Sequence, residues 1–454
     1  MEMFKFDRPV IRALLFVLLV FTPLARAGVK PWAVTVMEMI VLVAAALWVS
    51  GRILDPILNP IMDPIIDPII DPIIDPAGGR FKTPLDRPLA AAVALAFISA
   101  LFSENPIAGL WAVAEFITYI AVFHLTVHTL RTRAQVKALV GLLAGMGALL
   151  CVFGLFKHWG MNPFPWWDYA DIGRYNVRLS ATFGSPDHFA GYLEMVAALT
   201  LGYLFTGVGM ERRMLLTSLL VLFLAALILT LSRGGWIGLG AGLFFMMGVL
   251  LTQERFGKYR WSAAVGLGVL VLMLILLSST PAVERVLTLR DGEAALGGRL
   301  TAWQGVLAMI AQNPLLGTGP GTFADAFTQY QPPGLSRQFT MAHNDYLHFI
   351  AETGLPMALV MAWILVAVYR TGLEKMRHPS RLVRGTTLGA LAGITAMAVH
   401  SAGDFNLHIP ANALLFTVLG AVVCSRTPSA LPESPGFRSG DSVSSSTPIP
   451  LNRT

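Results

Sequence analysis

Residues 341–356 read MAHNDYLHFIAETGLP, and the apolar run MALVMAWILVAV follows at once. His343, Asn344, Asp345, His348 and Glu352 therefore crowd the start of a segment that is otherwise hydrocarbon. Histidine titrates near neutral pH and suits a general base. Asn344 and Asp345 suit a helix N-cap, a role that needs no catalytic function. Asn344, His348 and Glu352 recur every four residues and share one helix face. Glu352 would lie about 13 Å along the helix from His343, and a carboxylate that deep in a membrane span marks a functional site by default. A second group, HSAGDFNLHIP, adds His400, Asp404 and His408.

The cations are as unevenly placed. Arg233 stands in LSRGGWIG, between two apolar runs that leave room only for a tight turn, which Gly234 and Gly235 would permit. Free helix N-terminal amides beside a guanidinium make a phosphate site; the plain alternative is an interfacial arginine anchoring a hairpin. WWDYADIGRYNVRLSATFGSPDHF carries Arg174 and Arg178 among Trp166, Trp167, Tyr169 and Tyr175, aromatics suited to a membrane interface or to stacking on sugars. Arg299 opens GGRLTAWQGVLAMIAQNP, where Leu300, Trp303, Val306, Leu307 and Ile310 have the spacing of an amphipathic helix. The GTGPGTF that follows is glycine-rich but has no strand before it, so it does not read as a dinucleotide loop.

What must position these groups is membrane. The 454 residues are 55% hydrophobic and 13% charged, against about 25% charged in soluble proteins. Apolar runs near 10–25, 32–50, 88–103, 107–130, 138–157, 189–207, 214–231, 235–251, 261–280, 345–369, 383–401 and 411–424 predict an all-α polytopic membrane protein of about twelve transmembrane helices. LARAG at the end of the first run also fits a signal-peptidase site; a retained helix is the reading adopted. With the N-terminus cytoplasmic, alternate loops hold 23 of the 33 Lys and Arg residues inside and 10 outside. Both termini then face the cytoplasm, and loops 158–188 and 281–342, the latter a large loop carrying short amphipathic helices, face outward with every group named above.

Domain organisation is simple. Residues 1–424 form the transmembrane domain, and the Ser/Pro-rich segment 425–454 reads as a disordered cytoplasmic tail. Within the domain, 53–76 (ILDPILNPIMDPIIDPIIDPIIDP) is a cytoplasmic tandem-repeat insertion whose proline at every fourth residue predicts an extended chain. Cys151 and Cys424 lie far apart in apolar surroundings and suggest neither a disulfide nor a metal site.

Arginines and helix ends suggest an anionic, phosphorylated ligand, and no HExxH or Asp-rich motif suggests metal hydrolysis. Glycosyl transfer from a lipid pyrophosphate fits: a base takes the acceptor hydroxyl's proton while arginines stabilise the departing pyrophosphate. The combination HNDYLHFIAETGLP, PLLGTGPGTF, SRGGWIG, RLSATFGSPDHFAGYL and GVKPWAVTVMEMIVL resembles the O-antigen ligase and polymerase superfamily over most of residues 10–424. That resemblance implies an undecaprenyl-pyrophosphate-linked glycan donor, a metal-independent inverting transfer with no cofactor on the periplasmic face of the bacterial inner membrane, and His343 as base. It implies Arg178, Arg233 and Arg299 as pyrophosphate-binding residues, with Asn344, Asp345, Glu352, Asp404 and His408 in support. The acceptor would be a lipid-A-core or other hydroxyl for a ligase, or a second repeat unit for a polymerase; a lipid-linked glycan transporter is the reading from another class. Two departures stand out: Met341 where relatives often carry a second histidine, and Ser185-Pro186-Asp187-His188 in place of the usual Asn-Pro-Asn.

Overall fold

The computed structural model describes residues 7–62, 82–162, 178–253, 257, 298–333 and 338–425, and every regular element among them is helical. In chain order the helices are α1 (Asp7–Leu24), α2 (Pro31–Met62), α3 (Asp86–Leu101), α4 (Pro106–Thr129), α5 (Arg133–His158), α6 (Pro186–Leu204) and α7 (Met210–Leu229). There follow α8 (Arg233–Thr252), α9 (Arg299–Gln312), the short α10 (Phe323–Ala326), α11 (Asp345–Thr353), α12 (Leu355–Lys375), α13 (Arg381–His400) and α14 (Pro410–Cys424). Seven segments are long and apolar enough to cross a membrane: 31–51 of α2, and α4, α5, α7, α8, α12 and α13. Helices α1, α3, α6 and α14 occupy four more of the expected crossings without meeting that description, α14 being apolar but short. The expected crossing at 261–280 lies outside the described residues, as do 63–81, the aromatic and Arg174 part of loop 158–188, and 426–454.

Local signals set the helix starts. Asn105 accepts from the Ala108 amide ahead of Pro106. Thr132 and Gln135 form a reciprocal capping box on α5. Ser185 precedes Pro186 at the start of α6, and Ser232 accepts from the Gly235 amide at the start of α8. Each satisfies amides that the helix itself leaves unpaired.

Two expectations need correction. Helix α2 runs on through Pro56 and Pro60 to Met62, so the first part of the repeat is helical rather than extended. Proline's fixed φ lies within the helical range, so the residue does not by itself force an extended chain. The crossing expected at 345–369 is two helices: Gly354, at φ +85°, ends α11, and its Cα faces the Leu315 carbonyl so closely that a Cβ would stand 2.2 Å from that oxygen. The Leu355 amide then donates to Pro314 O (2.8 Å) and α12 departs as a separate span.

The centre of the bundle is α13 packed between α6 and α8, and it is built on small residues. A Cβ on Gly202 of α6 would come within 2.4 Å of the Gly389 Cα of α13. Likewise Gly242 and Gly238 of α8 abut the Ala392 and Ala396 carbonyls at 2.4 and 2.7 Å. In lipid, helices gain little from hiding apolar surface, so backbone approach of this kind carries the association. Leu42, Val221, Phe244 and Leu359 instead point outward from the bundle.

Outside the spans, α9, α10 and α11 share a separate small core of Ala302, Val306, Met309, Phe323, Phe327 and Ala351. The amphipathic helix expected at 299–312 is present, but it buries the face of Ala302, Gly305, Val306, Met309 and Ile310. Leu300 and Leu307, expected on that face, are exposed. The small residues win because a Cβ on Gly305 would already meet the Tyr330 carbonyl at 2.5 Å.

The Gly202–Gly389 crossing makes a sharp prediction. Gly202→Val should destabilise the purified protein by about 1–3 kcal/mol or more, since backbone cannot yield as a side chain can. Gly240→Ala, at a helical position with open space around it, should be neutral or slightly stabilising. Thermal unfolding in detergent compares the two; equal midpoints would mean that the crossing does not hold the bundle together.

Candidate functional site

The site gathers where loop 338–344 meets the turn between α13 and α14. His343 has a left-handed backbone (φ +49°), a conformation histidine adopts uncommonly and one that clusters at functional sites. The residues around it are fixed: the Trp303 indole donates to Ala342 O at 2.8 Å, and the Ala342 amide donates to His348 Nδ1 at 3.3 Å. Asn344 then returns to extended geometry and caps α11 through the Leu347 amide (3.1 Å). The left-handed residue thus turns the imidazole away from α11 and toward the next turn.

There it meets Asp404. His343 Nδ1 lies 3.3 Å from Asp404 Oδ1, which also accepts the Phe405 amide at 2.9 Å. Arg299 donates to Gly403 O (2.5 Å), and its guanidinium lies 3.9 Å from Asp404 Oδ2. Burial alone would push the Asp404 carboxyl up, but the hydrogen bond from His343, with His188, Arg299 and His400 nearby, holds it well below the usual carboxylate range. An ionised Asp404 accepts a hydrogen bond from the Nδ1–H of His343 and leaves Nε2 as the basic nitrogen.

Asp345 does not face His343. It is fully buried, accepts the Leu407 amide at 2.9 Å, and pairs with His408 Nδ1 at 2.6 Å. Burial works against a charged His408, but the bond and charge of Asp345 and the charges of Glu352 and Glu115 raise it above its ordinary range. Beside it, His348 stacks on Phe323 and lies 4.1 Å, centroid to centroid, from the His408 ring. His348 Nδ1 already accepts an amide, so Nε2 donates to Glu352 Oε1 at 3.4 Å. Burial, reinforced by His408, lowers its pKa and keeps it neutral. Glu352 also accepts the Phe323 amide (3.0 Å), and its carbonyl accepts the Gly319 amide (2.8 Å), so it latches the GTGPGTF loop onto α11. The glycines of that loop serve this contact: at Gly317, φ +65°, a Cβ would stand 2.3 Å from Glu352 C.

The remaining arginines sit on the other flank. Arg178 donates from Nε to Thr230 O (2.8 Å) and from one terminal nitrogen to Asp187 Oδ1 (2.7 Å) and Leu231 O (3.4 Å). It therefore braces the turn from which α8 starts. That turn is made by Leu231 in the left-handed region (φ +51°), not by the two glycines. Gly234 and Gly235 lie inside α8, where a Cβ would strike His400 at 2.4 Å and Ala190 at 2.6 Å. Arg233 is the first helical residue of α8, next to Gly234 and its contact with His400. Beneath it, His400 and Glu194 pair at 3.3 Å in full burial.

Three participants escaped the sequence reading: His188, Glu194 and Phe405. The Phe405 ring lies edge-on between His188 and His343, with centroids 4.7 and 4.9 Å away. SPDHF and GDFN give no signal for this, because each contact joins residues far apart in the chain. Among the described residues no group of three or more His, Cys, Asp or Glu is placed to hold a metal ion.

The Asp345–His408 pair has a pH signature. Because His408 binds its proton more tightly in the folded protein than an unfolded histidine does, its contribution is fully present below the ordinary histidine range and fades as pH rises through the raised value. Asp345→Asn should therefore lower the unfolding temperature more at pH 6 than at pH 9. An equal loss at both would show that the carboxylate acts only through the neutral bond to Leu407.

Among curated proteins, none matches the chain. Residues 218–362, the stretch from α7 to α12 that carries Arg233, Arg299, His343, Asp345, His348 and Glu352, match the family model described as O-antigen ligase, and this supports membership of the chain in the O-antigen ligase and polymerase family.

Proposed function

We propose that this membrane protein transfers a glycan from an undecaprenyl-pyrophosphate-linked donor to an acceptor hydroxyl on the periplasmic face of the bacterial inner membrane. The family implies a glycan-transferring enzyme of ligase or polymerase type. The observation that carries the finer reading is the His343–Asp404 pair with Arg299 beside it. His343 Nε2 takes the acceptor proton as the hydroxyl oxygen bonds to the anomeric carbon. The bond from that carbon to the pyrophosphate breaks, and its electron pair leaves with the phosphate. Asp404 stabilises the imidazolium, and Arg233 and Arg299, with Arg178 behind them, stabilise the leaving charge. The bond cleaved in the donor supplies the free energy, so no other energy source is required.

A ligase reading is preferred to a polymerase because the matched model is described as O-antigen ligase. The 23-to-10 distribution of basic residues supports a periplasmic site and cytoplasmic termini. Residues 1–424 would then be one transferase domain, with the repeat insertion and the 425–454 tail on the opposite face.

Purified protein in liposomes, given lipid-pyrophosphate-linked glycan and a panel of hydroxyl acceptors, should form conjugate without an added energy source. No product with any acceptor, including a second lipid-linked repeat, would overturn the proposal. His343→Ala should slow single-turnover transfer by about 10²- to 10⁴-fold with donor binding nearly unchanged. Asp404→Asn should lose about 10²- to 10⁴-fold through the wrong tautomer. Arg233→Lys should fall by about tenfold or more, since an ammonium cannot grip two phosphate oxygens in one plane. Wild-type transfer by the His343 variant would rule that residue out as base.

A further inference from the structure

The Glu194–His400 pair is a poor way to hold a bundle together. Both side chains are sealed from solvent, and His400 Nδ1 lies 3.3 Å from each carboxylate oxygen. Only Oε1 shares a hydrogen bond with it; Oε2 has no partner among the described residues. Burying such a pair costs about as much as its attraction returns, and well-packed apolar residues in its place are often neutral or stabilising. A buried oxygen left unsatisfied adds to that cost. The pair is therefore best explained by something that apolar packing would not supply.

The far side of the imidazole shows what that is. Gly234 lies in the first turn of α8, one residue after Arg233. A Cβ there would stand 2.4 Å from His400 Cδ2 and 2.5 Å from Nε2, and its three nearest neighbours are all atoms of this ring. One turn on, a Cβ on Gly238 would stand 2.7 Å from Glu194 Oε2 and equally close to the Ala396 carbonyl. Gly242, next in the same row, meets only Ala392 and Ala396 of α13. The start of α8 thus rests on the His–Glu pair, and the rest of the row on the neighbouring helix. An imidazole turns easily about its outer side-chain torsion, and the Nδ1 contact with Glu194 opposes that rotation. With the ring plane held, the height at which Gly234 rests is set, and with it the backbone of Arg233.

This placement bears on the reaction. A bidentate grip on phosphate needs the guanidinium in one place, and a misplacement of about 1 Å can cost about 10²-fold. Resting on the proposed function, we infer that Glu194 and His400 are positioning residues for Arg233. Glu194 orients the imidazole, the imidazole supports Gly234, and the supported turn presents Arg233 to the donor's pyrophosphate. Neither residue touches the donor; both act through the arginine.

The test uses the full chain in nanodiscs, with undecaprenyl pyrophosphate as the probe, and reads thermal unfolding alongside affinity. Glu194→Met combined with His400→Phe fills the same space with apolar groups and releases the ring from its bond. This variant should unfold near the wild-type midpoint yet bind the probe about tenfold more weakly, as Arg233→Lys does. Glu194→Gln, which keeps the shape and a hydrogen bond, should bind within about threefold of wild type. The same apolar pair placed in the Arg233→Lys background should cost less than about twofold more, because its effect runs through that residue. A further tenfold loss on top of Arg233→Lys would overturn the inference, as would wild-type affinity in the apolar variant; either leaves the proposed function standing. Should the apolar variant not fold, Gly234→Ala, which presses on the ring from the other side, takes its place under the same two readings. Wild type that fails to bind undecaprenyl pyrophosphate would sink the proposed function and the inference with it.

Discussion

The close approach of α6 and α13 is the constraint on which the rest of the site depends. Where Gly202 meets Gly389 and Gly385, backbone touches backbone, and no side chain can be inserted to change the crossing. Helices locked at one point behave as rigid levers, so the positions of their ends follow from the crossing. The start of α6 carries Asp187 and His188; the end of α13 leads through His400 to Asp404. Helix α8, pressed on α13 by Gly234, Gly238 and Gly242, is locked in the same way and brings Arg233. Three separate chain segments therefore deliver their polar residues to one place without any loop having to be long or specially ordered.

The second constraint is the α11 unit. Its nine residues are too few for an isolated helix to hold together in water. It persists because its polar face is consumed: Asn344 caps it, Asp345 reaches the α13–α14 turn, and Glu352 accepts the loop at Phe323. Tyr346 adds a bond to Ala398 O at 2.7 Å. The polar residues that look out of place beside a membrane span are the joints between a small extramembrane layer and the bundle below it.

This explains which features could be read from the sequence. Helix existence was legible for ten of the expected crossings, since hydrophobic runs are local, whereas the run at 345–369 proved to be two helices. The shared face of Asn344, His348 and Glu352 was legible for the same reason, and Asp404 and His408 stood out as polar residues in a short loop. What lay hidden was everything decided by a distant partner. Gly234 and Gly235 looked like turn residues, because the sequence cannot show that His400 and Ala190 will press on them. Leu300 and Leu307 looked buried, because hydrophobicity does not reveal that Ala302 and Gly305 fit a closer neighbour. Arg178 read as a ligand-binding cation, yet two of its three bonds to named partners end on backbone carbonyls.

The four histidine–carboxylate pairs among the described residues are chemically alike, and their surroundings separate them. His400 with Glu194 is 1% exposed, and His348 with Glu352 is 4% exposed, so neither can meet an acceptor without the fold opening. His348 has also committed both nitrogens. His408 is more open at 17%, but its short bond to Asp345 ties it into the joint that holds the α13–α14 turn on α11. His343 is 28% exposed, its Nδ1 faces an ionised carboxylate, and its other nitrogen has no partner among the described residues. A base must be oriented by the protein and still reach outside it, and His343 is where the two requirements coincide. The other three pairs use the same attraction, in closed surroundings, to hold the helices that make this orientation possible.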